Sequence, residues 1–130
     1  MSTRCRIGYY DMLSDQVRSV YCHHDGYPEY VGFILSEFYQ DPYKVQDLIK
    51  LGAISTLGQN LDLRGDENKN GTLDYHRWRG EPIMTSVDFG ISNYEANVFE
   101  NYEEYAYLFI AGVWFISEDG GSWKLLEHFV

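Results

Sequence analysis

The chain opens with β-type patterning. Residues 4–12 (RCRIGYYDM) are rich in β-formers without helical periodicity and read as a first strand. After a short turn at Leu13-Ser14-Asp15, residues 16–23 alternate. Val17, Ser19 and Tyr21 share one face, and Arg18, Val20 and Cys22 share the other. Together the two strands predict a β-hairpin. Asp25-Gly26-Tyr27-Pro28 breaks the pattern: Asp25 suits a cap, Gly26 a positive φ and Pro28 a first helical turn. Tyr30, Phe33, Ile34, Glu37 and Phe38 then keep i, i+3, i+4 spacing, which predicts a helix to about Tyr39. Asp41-Pro42 opens a second helix with Asp41 as N-cap. Val45, Leu48, Ile49 and Leu51 form its apolar stripe, and Gly52 closes it.

Residues 53–58 (AISTLG) form an apolar connector, and 59–71 a polar, Gly/Asn-rich loop. Residues 72–78 read as a third strand, 82–92 follow no single period, and 93–102 are weakly helical with Asn93 as cap. Residues 105–110 and 113–117 are aromatic and β-branched, with Ala111-Gly112 between them. Glu118-Asp119-Gly120-Gly121 is a turn signal, and 122–128 return as a last strand. Without internal repeats, the pattern predicts one α+β domain over residues 1–130. Its antiparallel sheet consists of the N-terminal hairpin and a C-terminal meander, covered by two helices.

Composition supports a packed domain: 130 residues are 45% hydrophobic and 17% aromatic, with twelve tyrosines. No apolar run reaches the length of a membrane span. The first residues lack the apolar run of a signal peptide, and the two cysteines are expected as free thiols in a cell interior. The net charge of −10 is uneven: residues 1–80 hold 11 acids and 9 bases, whereas 81–130 hold 9 acids and Lys124 alone. This disfavours direct binding to nucleic acid and to anionic membranes, and suits solubility or docking onto a basic partner. The spacing of the two helices does not make a DNA reader, because the second carries only Lys44 and Lys50 against Asp47.

Several groups of residues carry candidate chemistry. Cys22, His23 and Asp25, with His24 and the distant His76, supply a thiol, imidazoles and a carboxylate, as a cysteine nucleophile or a zinc site requires. Strand alternation places Cys22 and His23 on opposite faces, and no paired metal-ligand spacing accompanies them, which favours a structural role. Asp66, Asn68, Asn70 and Asp74 fall at EF-hand positions 1, 3, 5 and 9, with Gly71 at 6 and Leu73 at 8. Position 12 is Arg77 where a bidentate Glu belongs, so the segment reads as an Asn/Gly turn. Arg77 and Arg79, flanking Trp78, would share a strand face able to grip a phosphate or carboxylate. No cofactor is implied. In the acidic half, Glu95, Glu100, Glu103 and Glu104 interleave with Tyr102 and Tyr105, a pattern suited to contacting a basic protein surface.

Met1-Ser2-Thr3-Arg4, the junction Val20-Tyr21-Cys22-His23-His24-Asp25-Gly26-Tyr27-Pro28 and Leu51-Gly52-Ala53-Ile54-Ser55-Thr56-Leu57-Gly58 resemble a family of small phage and prophage proteins. That family has an MSTR start, a YCHxDGYP-like junction and an LGxISSLG-like connector. Tyr75-His76-Arg77-Trp78-Arg79-Gly80-Glu81 and the aromatic segments at 105–109 and 112–115 fit it as well. The chain departs from the family at His24, where tryptophan is common, at Ala53, and at Trp78, where an acid is usual. Any role of that acid does not carry over. The resemblance implies a viral origin, action in the host cytoplasm and no defined reaction. Small acidic phage proteins often inhibit bacterial defence systems, so the expected function is binding and inhibition of a host protein with a basic surface, of the anti-CRISPR or anti-restriction kind. The alternative is a small enzyme, or a protein that binds a nucleotide or other small ligand, using the Cys22-His23-Asp25 junction with Arg77 or Arg79. A homo-oligomer formed through the aromatic C-terminal strands is a third expectation.

Overall fold

The sheet starts from its N-terminal hairpin. β1 (Cys5–Asp11) and β2 (Gln16–Cys22) pair antiparallel, with Cys5 opposite Cys22 and Asp11 opposite Gln16. The Asp11 carboxylate closes the turn by accepting the Leu13 N–H and the Ser14 hydroxyl. Asp15 takes φ +54°, a left-handed conformation that aspartate tolerates better than most residues. These features come from a computed structural model that describes residues 3–61, 72–74, 85–118 and 120–129.

Beyond β2 the chain turns into a π-helical segment (Pro28–Gly32) that continues as α1 (Phe33–Phe38). In α2 (Pro42–Lys50) the Asp41 carboxylate accepts the Tyr43 N–H at 3.0 Å, satisfying one of the open donors of the first turn. β3 (Ile54–Thr56) then runs parallel to β2, and β4 (Leu73–Asp74) pairs antiparallel with β3. β5 (Ser86–Phe89) pairs antiparallel with the other end of β2, followed by α3 (Ile91–Glu100). β6 (Tyr105–Ile110) enters parallel to β1, and β7 (Val113–Glu118) and β8 (Lys124–Leu125) follow as a meander. The strand order is β4-β3-β2-β1-β6-β7-β8, with β5 on the β2 edge.

The single α+β domain matches the sequence expectation, but its sheet is mixed where an antiparallel one was expected. β2 and β3 are joined through α1 and α2, and β5 and β6 through α3. Helical crossovers of this kind return the chain in the same direction. The helices also cover both faces. On one, Ile34, Leu35, Val45, Leu48 and Ile49 pack against Cys5, Ile7, Val20, Cys22, Tyr107 and Phe109. On the other, Tyr94 and Val98 of α3 pack against Val17, Ala106 and Leu108. Fully burying a side chain such as Leu35, Leu48 or Phe109 contributes about 1.5–3 kcal/mol. Two boundaries also differ from expectation. The N-cap of α3 is Gly90, while Asn93 donates its side-chain amide to the Phe89 carbonyl. The last strand shortens to β8 because the chain tightens into a 3-10 turn at Leu126–His128, which buries Leu126.

Tyr94 fixes α3 to the sheet. Its hydroxyl donates to the Tyr107 carbonyl at 2.7 Å and lies 3.2 Å from the Arg6 carbonyl. The ring lies directly over Gly8, where a Cβ would sit 2.9 Å from Tyr94 Cζ and 3.0 Å from Val17 Cγ1. Gly8→Ala is therefore expected to lower stability by about 1–3 kcal/mol through overpacking, read as a lower urea midpoint. An unchanged midpoint would show that α3 does not rest on the sheet in this way.

Candidate functional site

The segment from Val20 to Gly32 links three parts of the fold. Past the end of β2, the His23 N–H donates to the Ile54 carbonyl at 3.1 Å and the His24 N–H to the Ser55 carbonyl at 2.8 Å, which extends the pairing along β3. Asp25 then takes φ +58°. The Gly26 N–H donates to the Thr3 carbonyl at 2.8 Å, and its carbonyl accepts the Tyr107 hydroxyl at 2.7 Å. A Cβ on Gly26 would lie 2.8 Å from Cys5 Cβ and 2.9 Å from the Thr3 oxygen, a separation that only glycine allows. Pro28 sits in the first turn of the helical segment, where its missing N–H costs nothing. The Tyr30 hydroxyl reaches back to the Leu57 carbonyl at 2.9 Å.

The candidate chemical residues occupy distinct places within this junction. Cys22 is completely buried opposite an equally buried Cys5, both are free thiols, and Cys22 Sγ donates to the His24 carbonyl at 3.4 Å. Burial, reinforced by the neighbouring Cys22 thiol, pushes the Cys5 thiol well above its ordinary pKa and keeps it protonated. His23 Nδ1 lies 2.6 Å from the Tyr21 hydroxyl, and its ring meets His24 edge-on at 4.5 Å. Asp25 provides the left-handed turn and not a helix cap; the helical segment is preceded by Tyr27, which makes no side-chain cap bond.

The acidic residues divide into structural and exposed groups. Arg6 Nε and Nη2 reach the Glu103 carboxylate at 2.7 and 3.2 Å, and Arg6 Nη1 donates to Ser86 Oγ at 3.1 Å. The side chains of Arg6 and Glu103 are only 12% and 2% exposed. Glu103, expected on the surface, is therefore part of the core. Burial holds its carboxyl above the usual range while Arg6 pulls the other way. Glu104 accepts the Arg4 backbone N–H, and the Arg4 guanidinium donates to the Tyr102 carbonyl at 2.7 Å. Tyr105 is half-buried and stacks on Tyr107. Glu95 accepts the Trp123 indole N–H at 2.9 Å. Glu100 and Tyr102 are exposed, and Tyr102, at φ +62°, is 80% accessible.

Residues one turn apart on α3 nevertheless make an acidic groove. Ser92, Glu95, Ala96, Phe99 and Glu100, with Gly120 from the turn after β7, line an open depression of about 460 Å³. The remaining sequence candidates, Asp66, Asn68, Asn70, His76, Arg77, Trp78 and Arg79, lie outside the described residues, as does the Asp74 side chain. Among the described residues no three His, Cys, Asp or Glu side chains group as metal ligands would, and no helix is long and apolar enough to cross a membrane.

Sequence reasoning missed the buried polar layer beneath α3. Asp88 is buried and accepts the Asn97 side-chain amide, while its second oxygen and the Ser19 hydroxyl have no hydrogen-bond partner among the described residues. Placing Ser19 with Val17 on one face of β2 was the available signal. If Glu103 is structural, Glu103→Ala will cost about 3 kcal/mol by leaving Arg6 buried without its counter-charge. Glu100→Ala should change stability by no more than about 0.5 kcal/mol. Chemical denaturation of the two variants checks this, and equal midpoints would return Glu103 to the surface. Comparison of the chain with family models, with curated proteins and with solved structures finds no match.

Proposed function

We propose that this chain is a phage-encoded protein that acts in the host cytoplasm by binding and inhibiting a host protein with a basic surface. The target class is a bacterial defence component, of the kind met by anti-CRISPR or anti-restriction proteins. The observation that carries this reading is the groove on α3. Glu95 and Glu100 flank the half-buried Phe99 on a helix pinned to the sheet by Tyr94. Glu118 and Tyr102 stand exposed at neighbouring element ends. Carboxylates on a rigid element concentrate negative potential and steer a basic partner, and the aromatic groups add contact area at little entropic cost.

The net charge of −10 and the sequence resemblance to phage proteins support the same reading. Lys124 is the only base after residue 80, and it lies over the Phe129 ring, 5.9 Å from its centre. Arg6 offsets the buried Glu103, and no cation pairs with Glu95, Glu100 or Glu118 among the described residues.

The test uses the exposed acids, because Glu103 and Glu104 hold the fold together. Wild-type protein is used to capture its partner from a host lysate, and binding of the purified partner is then measured over a salt series. Glu100→Lys combined with Glu118→Lys is expected to slow association by about tenfold or more and to flatten the salt dependence. A partner bound equally well by the double variant would overturn the assignment of this face.

A further inference from the structure

A second cavity, of about 310 Å³, lies on the opposite side of the sheet, where β1 and β2 meet α2. Its lining holds two cations, Arg18 from β2 and Lys50 from the last turn of α2. Tyr9, directly across the hairpin from Arg18, and Ile49 supply the apolar part, and Gln46 and Thr85 the neutral polar part.

Other described cations have partners. Arg6 binds Glu103, Arg4 binds the Tyr102 carbonyl, and Lys44 donates to the Phe38 and Gln59 carbonyls at 2.6 and 2.7 Å. The Arg18 side chain makes no hydrogen bond or ion pair among the described residues, and Lys50 comes only within 3.9 Å of the exposed Asp47. This occurs in a chain with 20 acids and 10 bases, where a carboxylate partner should be easy to supply. Asp11, the acid in the same cavity, is already engaged by the Leu13 N–H and the Ser14 hydroxyl. The walls are fixed in advance. Tyr9 stacks on Phe109 at 5.9 Å and its hydroxyl accepts from Gln46 Nε2 at 3.1 Å, while Thr85 Oγ1 donates to the Ile49 carbonyl at 3.1 Å.

The geometry points to a binding site for a small organic oxyanion. Arg18 and Lys50 hold its phosphate or carboxylate, and a planar body lies along Tyr9 and Ile49. A guanidinium fork matches two oxygens of either group, and the ammonium adds a second charge-assisted donor. The volume is at the small end of ligand pockets, which limits the ligand to about mononucleotide size. Because the protein as a whole is strongly acidic, long-range attraction does not help the anion arrive, and recognition depends on the local pair. The site is separate from the α3 groove and does not depend on the function proposed for it.

Titration of the full chain, followed through its backbone amide resonances, tests this with adenosine monophosphate, benzoate and uncharged adenosine as probes. At least one of the two anions should shift the amides around Tyr9, Arg18 and Lys50 in a saturable way, and adenosine should not. Saturation by the monophosphate alone assigns a phosphate ligand, and saturation by benzoate alone a carboxylate. Arg18→Gln should weaken binding by about tenfold, equivalent to about 1.4 kcal/mol. Lys50→Gln should weaken it less, and both side chains are exposed enough for the variants to fold. The site is refuted if neither anion shifts these amides at millimolar concentration, if adenosine binds equally well, or if Arg18→Gln binds like the wild type.

Discussion

The hydrogen bond from the Tyr107 hydroxyl to the Gly26 carbonyl is the constraint on which the rest of the structure depends. Tyr107 sits on β6, in the middle of the sheet, and is fully buried; Gly26 sits where β2 gives way to the first helical segment. The bond requires the chain to pass against Cys5 and Thr3 at a distance that excludes any side chain on residue 26. It thereby joins the start of β1, the end of β2 and the centre of β6. An unmet hydroxyl at this depth would cost about 1–3 kcal/mol, and burial drives its pKa far above the ordinary tyrosine range.

The same device recurs through the core and gives four of the twelve tyrosines a structural part. Tyr94 binds the Tyr107 carbonyl, Tyr30 the Leu57 carbonyl and Tyr39 the Gly58 carbonyl, while the Trp114 indole binds the Tyr39 carbonyl. Burial raises the Tyr39 hydroxyl to about 12, so it remains a donor at any physiological pH. Each ring contributes apolar area, and each polar tip meets a main-chain carbonyl instead of being buried without a partner. Two faces with different chemistry result. The α3 side presents carboxylates, while the α2 side keeps two cations beside an aromatic ring.

Local features were legible in the sequence and long-range ones were not. Alternation in residues 16–22 placed Val20 and Cys22 on one face and Val17 and Ser19 on the other, and the Asp41 cap and the C′ glycine of α2 were readable from residue type alone. The parallel β1–β6 pairing was not, because strand patterning records which face is buried and not which strand lies alongside. β5 escaped because its pattern is inverted: Asp88 points inward while Val87 and Phe89 are exposed. Glu103 looked like one of many surface acids because its partner, Arg6, lies 97 residues away. Arg18 did leave a trace, as a charged residue on the core-facing side of β2. The junction at residues 20–32 was visible as the centre of the chain, and its buried thiol and backbone-bonded glycine give it a structural part.

Native-state hydrogen exchange measures that structural part most directly. The amides of His23, His24 and Gly26 donate to Ile54, Ser55 and Thr3. If the junction holds the fold together, these amides will exchange only through global unfolding, with the same opening free energy as the amides of β1 and β6. Exchange through local opening, at a free energy well below that of the central strands, would contradict the account.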